Sequence, residues 1–170
     1  EIAKEYTQKV YDCGPERSAQ RNCGVNQASG KYILYLDSDM ILSENVISEC
    51  VKMCESTNKI ALYIPERMIG SGYWVRVRDF ERSFYNATCV DCVRFVRRDK
   101  FLEIGGFDEE LTGPEDWDFN RRIREFQGLG IIKNPIYHNE RKFTISKFLQ
   151  KKAIILGLSP YISVSGERMI

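Results

Sequence analysis

The chain has 170 residues, of which 43% are apolar and 29% are charged, and its formal net charge is +1. This length can bury the core of one domain, and the composition is that of a soluble globular protein. The nearly balanced charge gives no indication of nucleic-acid binding, and no apolar run approaches the roughly 20 residues that a membrane-spanning helix needs. We therefore expect a single domain over residues 1–170.

Helical and extended patterns alternate along the chain. The continuous apolar run YILYL (32–36) indicates a strand that is buried on both faces, which is typical of a parallel sheet. Gly30 suits the end of the helix before it, and Ser43 suits the N-cap of the helix after it. This alternation predicts an α/β fold with a mainly parallel central sheet flanked by helices. The predicted helices cover 1–10, 16–29, 44–55, 75–85, 100–108, 115–126 and 144–158, and the predicted strands cover 11–13, 31–37, 60–65, 92–98 and 130–138, the last interrupted by Pro135.

Six cysteines raise the question of disulfides, but their context argues against them. Cys50 and Cys54 are spaced as on one helix face and Cys23 lies in a helical pattern, so we expect all three to be small core residues. Cys89 and Cys92 have C-x-x-C spacing, but no second pair with metal-site spacing accompanies them, which disfavours a zinc site. We expect the protein to work in a reducing cytoplasm.

Two aspartates, Asp37 and Asp39, stand at the carboxyl end of the YILYL strand. Carboxylates two residues apart in an extended segment point to the same side and repel each other unless a positive partner lies beside them. In open α/β sheets ligands bind beyond the carboxyl ends of strands, and Mg²⁺ takes one or two carboxylates plus phosphate oxygens. The pattern thus predicts a cation and phosphate site. Taken alone, however, a D-x-D sequence is more often a pair of solvated aspartates.

Two longer segments resemble glycosyltransferases of family 2, which have the GT-A fold. The first is ERSAQRNCGVNQASGKYILYLDSDM, with R-N-x-G, then Ala28 and Gly30, then the apolar strand and the D-x-D sequence. The second is RFVRRDKFLEIGGFDEELTGPEDWDFNRRI, with R-F-x-R-R, G-G-F-D-E and E-D-W-D in the order of the family. The two segments together cover roughly residues 14–140. The chain is therefore identified as a member of this family, of hexosyltransferase type.

The resemblance implies transfer of a sugar, with inversion, from a nucleotide-diphosphate sugar to an acceptor hydroxyl. It assigns a divalent cation, Mn²⁺ or Mg²⁺, to Asp39, with Asp37 contacting the nucleotide ribose or assisting the metal. The resemblance also implies that His138 completes the metal or diphosphate site, although a lone histidine is more often structural than a ligand. The resemblance makes Asp116 the base, with Glu115 orienting the acceptor. For these two residues the alternative is an ordinary acidic first helical turn.

Further side chains are candidates for contacts with the two substrates. Arg17 and Arg21 lie four residues apart on one helix face and could contact the diphosphate, although a solvated position is favoured for Arg21. Trp117 could stack on a sugar ring or anchor the core. The glycine-punctuated segment 68–74, which includes Trp74, predicts a lid on the acceptor side, with an ordinary surface loop as the alternative.

The C-terminal part of the chain is apolar and basic. Residues 144–158, within a helical tail over 144–170, could cover the sheet, form a contact in a homo-oligomer or lie on a membrane surface near a lipid-linked acceptor. Arg141 and Lys142 just before it are further diphosphate candidates.

Family members begin with a strand, a helix and a second strand that carries a base-reading aspartate, and this sequence lacks that pattern. We therefore expect an N-terminally truncated GT-A domain.

Three functional classes compete for this sequence. The first is a metal-dependent glycosyltransferase that uses a nucleotide sugar and a glycan, polysaccharide or lipid-linked acceptor, in the cytoplasm or at the inner face of the membrane. The second is a non-catalytic nucleotide-sugar or carbohydrate-binding module of the same fold. The third is a nucleotidyltransferase, which would need a glycine-rich phosphate loop with a lysine, and no such loop is visible. The presence of both Asp39 and Asp116 favours the enzyme, because binding alone requires no base.

Overall fold

The computed structural model describes residues 2–87, 91–111 and 113–139. The predicted tail helix, Arg141, Lys142 and Cys89 lie outside the described residues. The helices are α1 (Ile2–Tyr6), α2 (Arg17–Gln27), α3 (Val46–Thr57), α4 (Tyr73–Arg82), α5 (Arg98–Glu103) and α6 (Glu115–Arg124). The strands are β1 (Tyr32–Leu34), β2 (Met40–Leu42), β3 (Ala61–Tyr63), β4 (Glu66–Ile69), β5 (Phe95–Arg97), β6 (Leu129–Ile131) and β7 (Ile136–Asn139).

The strands of the described residues form two mixed sheets, with the orders β1-β5-β3-β6 and β2-β7-β4. In the larger sheet β5 is antiparallel to both β1 and β3, and only β3 and β6 are parallel. In the smaller sheet β7 is antiparallel to β2 and parallel to β4. The α/β class is confirmed, but the expectation of a mainly parallel sheet is wrong for these strands. A continuous apolar run reports burial on both faces, and it does not report strand direction.

Hydrophobic cores lie on both faces of the larger sheet. Successive residues of β3 point to opposite faces, so Ala61 and Tyr63 belong to one core and Leu62 to the other. The first core contains the aromatic rings of α5, α6 and the segment between them, and the second contains α3 with Cys50 and Cys54. The prediction of these two cysteines as buried core residues is confirmed.

Several predicted boundaries are wrong, mainly around the smaller sheet. Ser43 does not cap α3, because residues 40–42 first form β2 and the helix begins only after Asn45. Residues 11–13 form no strand, and the predicted loop 68–74 contains the end of β4 and the start of α4. The break at Pro135 is confirmed, since β6 and β7 lie on either side of it in different sheets.

Cys13 and Cys23 form a disulfide, with a Cα–Cα distance of 6.3 Å that is usual for such a bond. The prediction that Cys23 is a reduced core residue is therefore wrong. Gln20 of α2 donates to the Gly14 carbonyl at 2.8 Å, so the segment before the helix lies against it, which the helical pattern of α2 alone does not show. The expectation that the protein works in a reducing cytoplasm depended on free cysteines, and the disulfide removes that support.

None of the helices in the described part of the chain has the length and apolar character needed to cross a bilayer.

Candidate active site

A cleft of about 640 Å³ opens beyond the carboxyl end of β1. Its walls come from α2, from the connection between β1 and β2, and from β7. The lining residues are Arg17, Gln20, Arg21, Leu36, Asp37, Ser38, Asp39 and His138. The cleft thus brings together five of the side chains that the sequence assigned to the diphosphate and the metal, including His138, which lies about 100 residues from Asp37 and Asp39 along the chain. Their individual roles remain predictions.

Arg21 links the cleft residue Asp37 to Asp116 of α6, which does not itself line the cleft. Its Nη1 donates to Asp116 Oδ1 at 2.6 Å and its Nη2 donates to Asp37 Oδ1 at 3.1 Å. The guanidinium lies 5.0 Å from the Tyr35 ring and 4.9 Å from the Phe107 ring, within the range of cation–π contacts. Burial opposes its charge, but the neighbouring acidic groups outweigh burial and raise the Arg21 pKa. The favoured solvated position for Arg21 is therefore wrong, since α2 turns this face towards the aromatic rings.

The first turn of α6 places a buried acid beside a half-buried one. Glu115 is only 2% exposed, its Oε2 accepts from the Gly113 backbone N–H at 3.0 Å, and its Oε1 lies 2.8 Å from Arg17 Nη2. An ordinary acidic first turn would be solvated, so the position of Glu115 speaks against that alternative. Asp116 retains 31% side-chain exposure while Arg21 holds its Oδ1. Each arginine of α2 therefore pairs with one acid of α6.

His138 stands between two carboxylates. The pairing of β2 with β7 places it opposite Met40, and the Asn139 N–H donates to the Asp39 carbonyl at 2.9 Å. The imidazole Nε2 then lies 3.1 Å from Asp39 Oδ2, and Nδ1 lies 3.8 Å from Glu66 Oε2. Glu66 is the largest cause of the raised His138 pKa, and Asp39 adds to it, whereas burial alone would lower it.

The metal prediction rests on few ligands. No group of three or more histidine, cysteine, aspartate or glutamate side chains is placed to hold a metal within residues 2–87, 91–111 and 113–139. Asp39, which is 53% exposed, and His138 offer one oxygen and one nitrogen, while Asp37 is turned towards Arg21 and lies 3.6 Å from Arg94. Such a pair fits a cation that completes its coordination with phosphate oxygens and water. Divalent-cation binding remains a prediction.

Neither of the two candidate tryptophans lines the cleft. Trp117 follows Asp116 and is 50% exposed, which excludes the alternative of a core anchor. Trp74 lies half-buried in the first turn of α4, with its ring 5.2 Å from the Tyr73 ring. The contact of both with an acceptor remains a prediction.

Four buried charged residues near the cleft were missed in the sequence. Glu66 Oε1 accepts from Arg94 Nη2 at 2.7 Å, and its Oε2 accepts from Arg82 Nη2 at 2.7 Å. Arg82 Nη2 also lies 2.6 Å from Asp91 Oδ1, and burial raises the Asp91 pKa to about 6. A signal for part of this network existed, because Arg94 interrupts the apolar run CVRFV and Glu66 directly follows a buried strand and a proline.

Comparisons with known proteins show the family of this chain. The sequence profile of glycosyl transferase family 2 matches residues 1–128. The minor teichoic acid biosynthesis protein GgaB of Bacillus subtilis (strain 168) is 27% identical over 157 residues, which cover 81% of this chain and 17% of that protein.

Solved structures of S. aureus TarS resemble this chain over most of its length. One matches 95% of this chain with a TM-score of 0.59 at 17% identity, and the chain covers 36% of it. TarS 1–349 in complex with UDP-GlcNAc matches 98% with a TM-score of 0.58 at 16% identity, and the chain covers 54% of it. At this identity the likeness shows the fold alone, and the chain spans only part of each relative's length.

The family profile covers 128 of the 170 residues, including both D-x-D and E-D-W-D, and the structural matches extend over nearly all of the chain. The chain belongs to glycosyl transferase family 2 and has the GT-A fold.

Proposed function

We propose that the cleft beyond β1 binds a nucleotide-diphosphate sugar and that the sugar passes to an acceptor hydroxyl with inversion. One observation carries this proposal. Arg21 joins Asp37 on the donor side to Asp116 on the acceptor side, at 3.1 and 2.6 Å. A single displacement needs the base and the donor within a few ångströms of each other, and the shared guanidinium holds the two carboxylates at that separation.

On the donor side the cleft combines positive and negative groups that suit a nucleoside diphosphate. Arg17 and Arg21 face the cleft from α2, and arginine pairs well with phosphate oxygens. Asp37 lies where it can accept from a ribose hydroxyl. Asp39 and His138 would hold Mn²⁺ or Mg²⁺, and a bound cation would stabilise the negative charge that develops on the leaving diphosphate.

On the acceptor side Asp116 is the base. Arg21 holds Oδ1 of Asp116, and Oδ2 of Asp116 takes the proton of the attacking hydroxyl. The new C–O bond forms on the face of the sugar opposite the diphosphate, which departs with the electron pair of the broken C–O bond. No covalent intermediate with the protein forms. Glu115 orients the acceptor from the position that Arg17 and the Gly113 N–H hold, and Trp117 and Trp74 offer apolar ring faces to sugar rings.

The relatives suggest which substrates to test first. TarS 1–349 is known in complex with UDP-GlcNAc and with UDP, so a UDP-sugar is the first donor to try. GgaB is a teichoic acid biosynthesis protein, so a teichoic-acid-type polymer is the first acceptor. A cytoplasmic position at the inner face of the membrane would bring the chain to such acceptors, and this location also remains a proposal.

The decisive test is calorimetric titration of UDP, GDP and UDP-GlcNAc with and without Mn²⁺. We expect Mn²⁺-dependent binding in the wild type and its loss in Asp39→Ala. Asp99→Ala is the matched control, because Asp99 is also exposed but lies in α5, after the end of β5 that pairs with the start of β1, away from the cleft. Binding that is equally strong in Asp39→Ala would contradict the donor site.

A second measurement separates an enzyme from a binding module. Asp116→Asn should bind the donor within a few-fold of the wild type and should transfer no sugar to an acceptor. If the wild type binds donor and acceptor but neither protein transfers sugar, the domain is a binding module and the assignment of Asp116 as base fails.

A further inference from the structure

We propose that Glu66, which does not itself line the cleft, is a positioning residue for the donor site. It holds Arg94 beside Asp37, and it holds the His138 ring facing Asp39. This inference rests on the proposed donor site and adds to it a residue that neither the sequence patterns nor the cleft lining reveals.

The first contact runs through Arg94. Glu66 Oε1 accepts from Arg94 Nε at 2.9 Å and from Nη2 at 2.7 Å, so two donors of the guanidinium converge on one carboxylate oxygen. The same Nη2 lies 3.6 Å from Asp37 Oδ2. Arg94 is therefore shared between a buried acid and an acid of the cleft. As long as Glu66 holds it in place, Asp37 keeps one oxygen near Arg94 and the other near Arg21.

The second contact runs through His138. Its Nδ1 lies 3.8 Å from Glu66 Oε2, and its Nε2 lies 3.1 Å from Asp39 Oδ2. The buried Glu66 carboxylate faces the Nδ1 edge of the ring, so the Nε2 edge is turned towards Asp39 and the cleft, where a metal ion would bind. Glu66 thereby orients the ring from the buried side while Asp39 faces it from the cleft.

The ion pairs among Glu66, Arg82, Asp91 and Arg94 argue against a purely structural role for Glu66. Arg82 has a second acid, Asp91, whose Oδ1 lies 2.6 Å from Nη2, so Glu66 is not its sole partner. Glu66 is 7% exposed and contacts groups from α4, from the segment before β5 and from β7. Replacing its charge leaves Arg94 with Asp37 as the nearest acid, and Arg94 would then draw Asp37 away from the donor.

The matched pair of variants is Glu66→Gln and Asp91→Asn. Both remove a buried carboxylate that contacts Arg82, but only Glu66 also contacts Arg94 and His138. We expect Glu66→Gln to weaken Mn²⁺-dependent UDP binding about 10- to 100-fold, the usual effect of removing a residue that orients a metal ligand. The affinity of Asp91→Asn for UDP should stay within about threefold of the wild type in the same titration. An equal loss of affinity in both variants would mean a general effect on the fold.

A readout without ligand separates this inference from the proposed function. His138 is the only histidine, so its two ring nitrogens give one set of long-range ¹H–¹⁵N NMR correlations. In the metal-free protein we expect Glu66→Gln to shift the resonances of both ring nitrogens, because the ring loses the carboxylate that faces Nδ1, while Asp91→Asn leaves the ring as in the wild type. If the wild type binds no nucleotide, the proposed function fails, and this spectrum still decides whether Glu66 holds the ring.

Ring correlations identical in Glu66→Gln and the wild type would overturn the inference, as would equal losses of UDP binding in the two variants. Should Glu66→Gln unfold, Glu66→Asp takes its place. It keeps a charge between the two arginines and withdraws the carboxylate from His138 by about 1.5 Å, one C–C bond. The same changes in binding and in the ring spectrum are expected of it.

Discussion

At the scale of single residues, the candidate site depends on charges that are held by more than one partner. Arg21 is the clearest case, because its side chain is 10% exposed and neutralises both Asp37 and Asp116. The sequence shows an arginine on one face of a helix, but its acid on α6 lies 95 residues further along the chain. No local pattern reports a pairing over that distance, so only the fold reveals that Arg21 is not solvated.

Replacing Arg21 by methionine should destabilise the fold. The change keeps the apolar contact with the Tyr35 and Phe107 rings but leaves two part-buried carboxylates without their shared partner. We expect the free energy of unfolding to fall by about 1–3 kcal/mol, less than for a fully buried pair, because both acids retain some exposure to water. Urea denaturation measures this value. Arg121→Met, on the exposed face of α6, is the control and should change it by no more than about 0.5 kcal/mol.

Asp91 should give the protein an unusual dependence of stability on pH. Its folded-state pKa is raised from 3.8 to about 6 by burial, so the folded protein binds the proton more tightly than the unfolded chain. The ionised form therefore costs stability above pH 6, and that cost disappears as the pH falls towards 4. Other groups titrate in this range too, so the contribution of Asp91 has to be isolated by comparison with a variant that cannot ionise there.

Asp91→Asn provides that comparison. We expect the stability of the variant relative to the wild type to be greatest near pH 7 and to decline by about 2–3 kcal/mol towards pH 4, at 1.36 kcal/mol per pKa unit. Urea denaturation of both proteins between pH 4 and pH 7 measures the difference. A constant difference over this range would mean that the Asp91 pKa is not raised in the folded protein.

At the scale of elements, the two family segments are joined by specific contacts of α2. Asn22 Oδ1 accepts from the Phe107 N–H at 2.9 Å, and its Nδ2 donates to the Phe107 carbonyl at 2.8 Å. Gly106 adopts φ +70°, and a Cβ there would lie 2.5 Å from Asn22 Oδ1. The hydrogen bonds of the R-N-x-G asparagine therefore leave room only for glycine at the second glycine of G-G-F-D, and neither segment alone reveals this contact.

Gly106→Ala should consequently disrupt this junction. The added methyl group meets Asn22 and the Phe101 ring and disfavours the left-handed backbone, so we expect a loss of at least about 1–3 kcal/mol in unfolding free energy. Gly24→Ala in α2 is the matched control, because a Cβ at that helical position meets no atom within 4 Å. The control should gain up to about 1 kcal/mol, as alanine favours helix over glycine. Equal melting temperatures for the two variants would contradict the close contact at Gly106.

The disulfide, like the contacts of Asn22 with Phe107, fixes the position of α2. Cys13–Cys23 ties the segment before the helix to the helix that carries Arg17 and Arg21. Cross-links over short loops typically stabilise by about 2–3 kcal/mol, so reductant should lower the melting temperature of the wild type. The double variant Cys13→Ser/Cys23→Ser should melt lower at the outset and show no further change with reductant. A reductant effect of the same size in this variant would assign the change to another cause.

At the scale of the whole molecule, the sequence predicted the kinds of elements better than their arrangement. The apolar run of β1 and the period of α6 identify a strand and a helix because burial is a local property of side chains. The direction of β5 and the separate sheet of β2, β7 and β4 arise from pairings between distant segments. In the same way Asp39, Glu115 and Asp116 were visible as patterns, whereas the Glu66–Arg94 pair needed the fold.

These long-range contacts predict that donor binding affects the acceptor side. Arg17 and Arg21 line the cleft and also pair with the acids of α6, so a nucleotide that orders the two arginines should also order the start of that helix. We expect UDP with Mn²⁺ to slow amide hydrogen exchange in α6 as well as in α2. The helix α3, which does not line the cleft, is the internal control and should exchange unchanged. Asp39→Ala should show no slowing in either helix. Slower exchange confined to residues 37–39 would mean that the two arginines do not couple the donor cleft to Asp116, because local ordering at the strand end would then account for the whole effect.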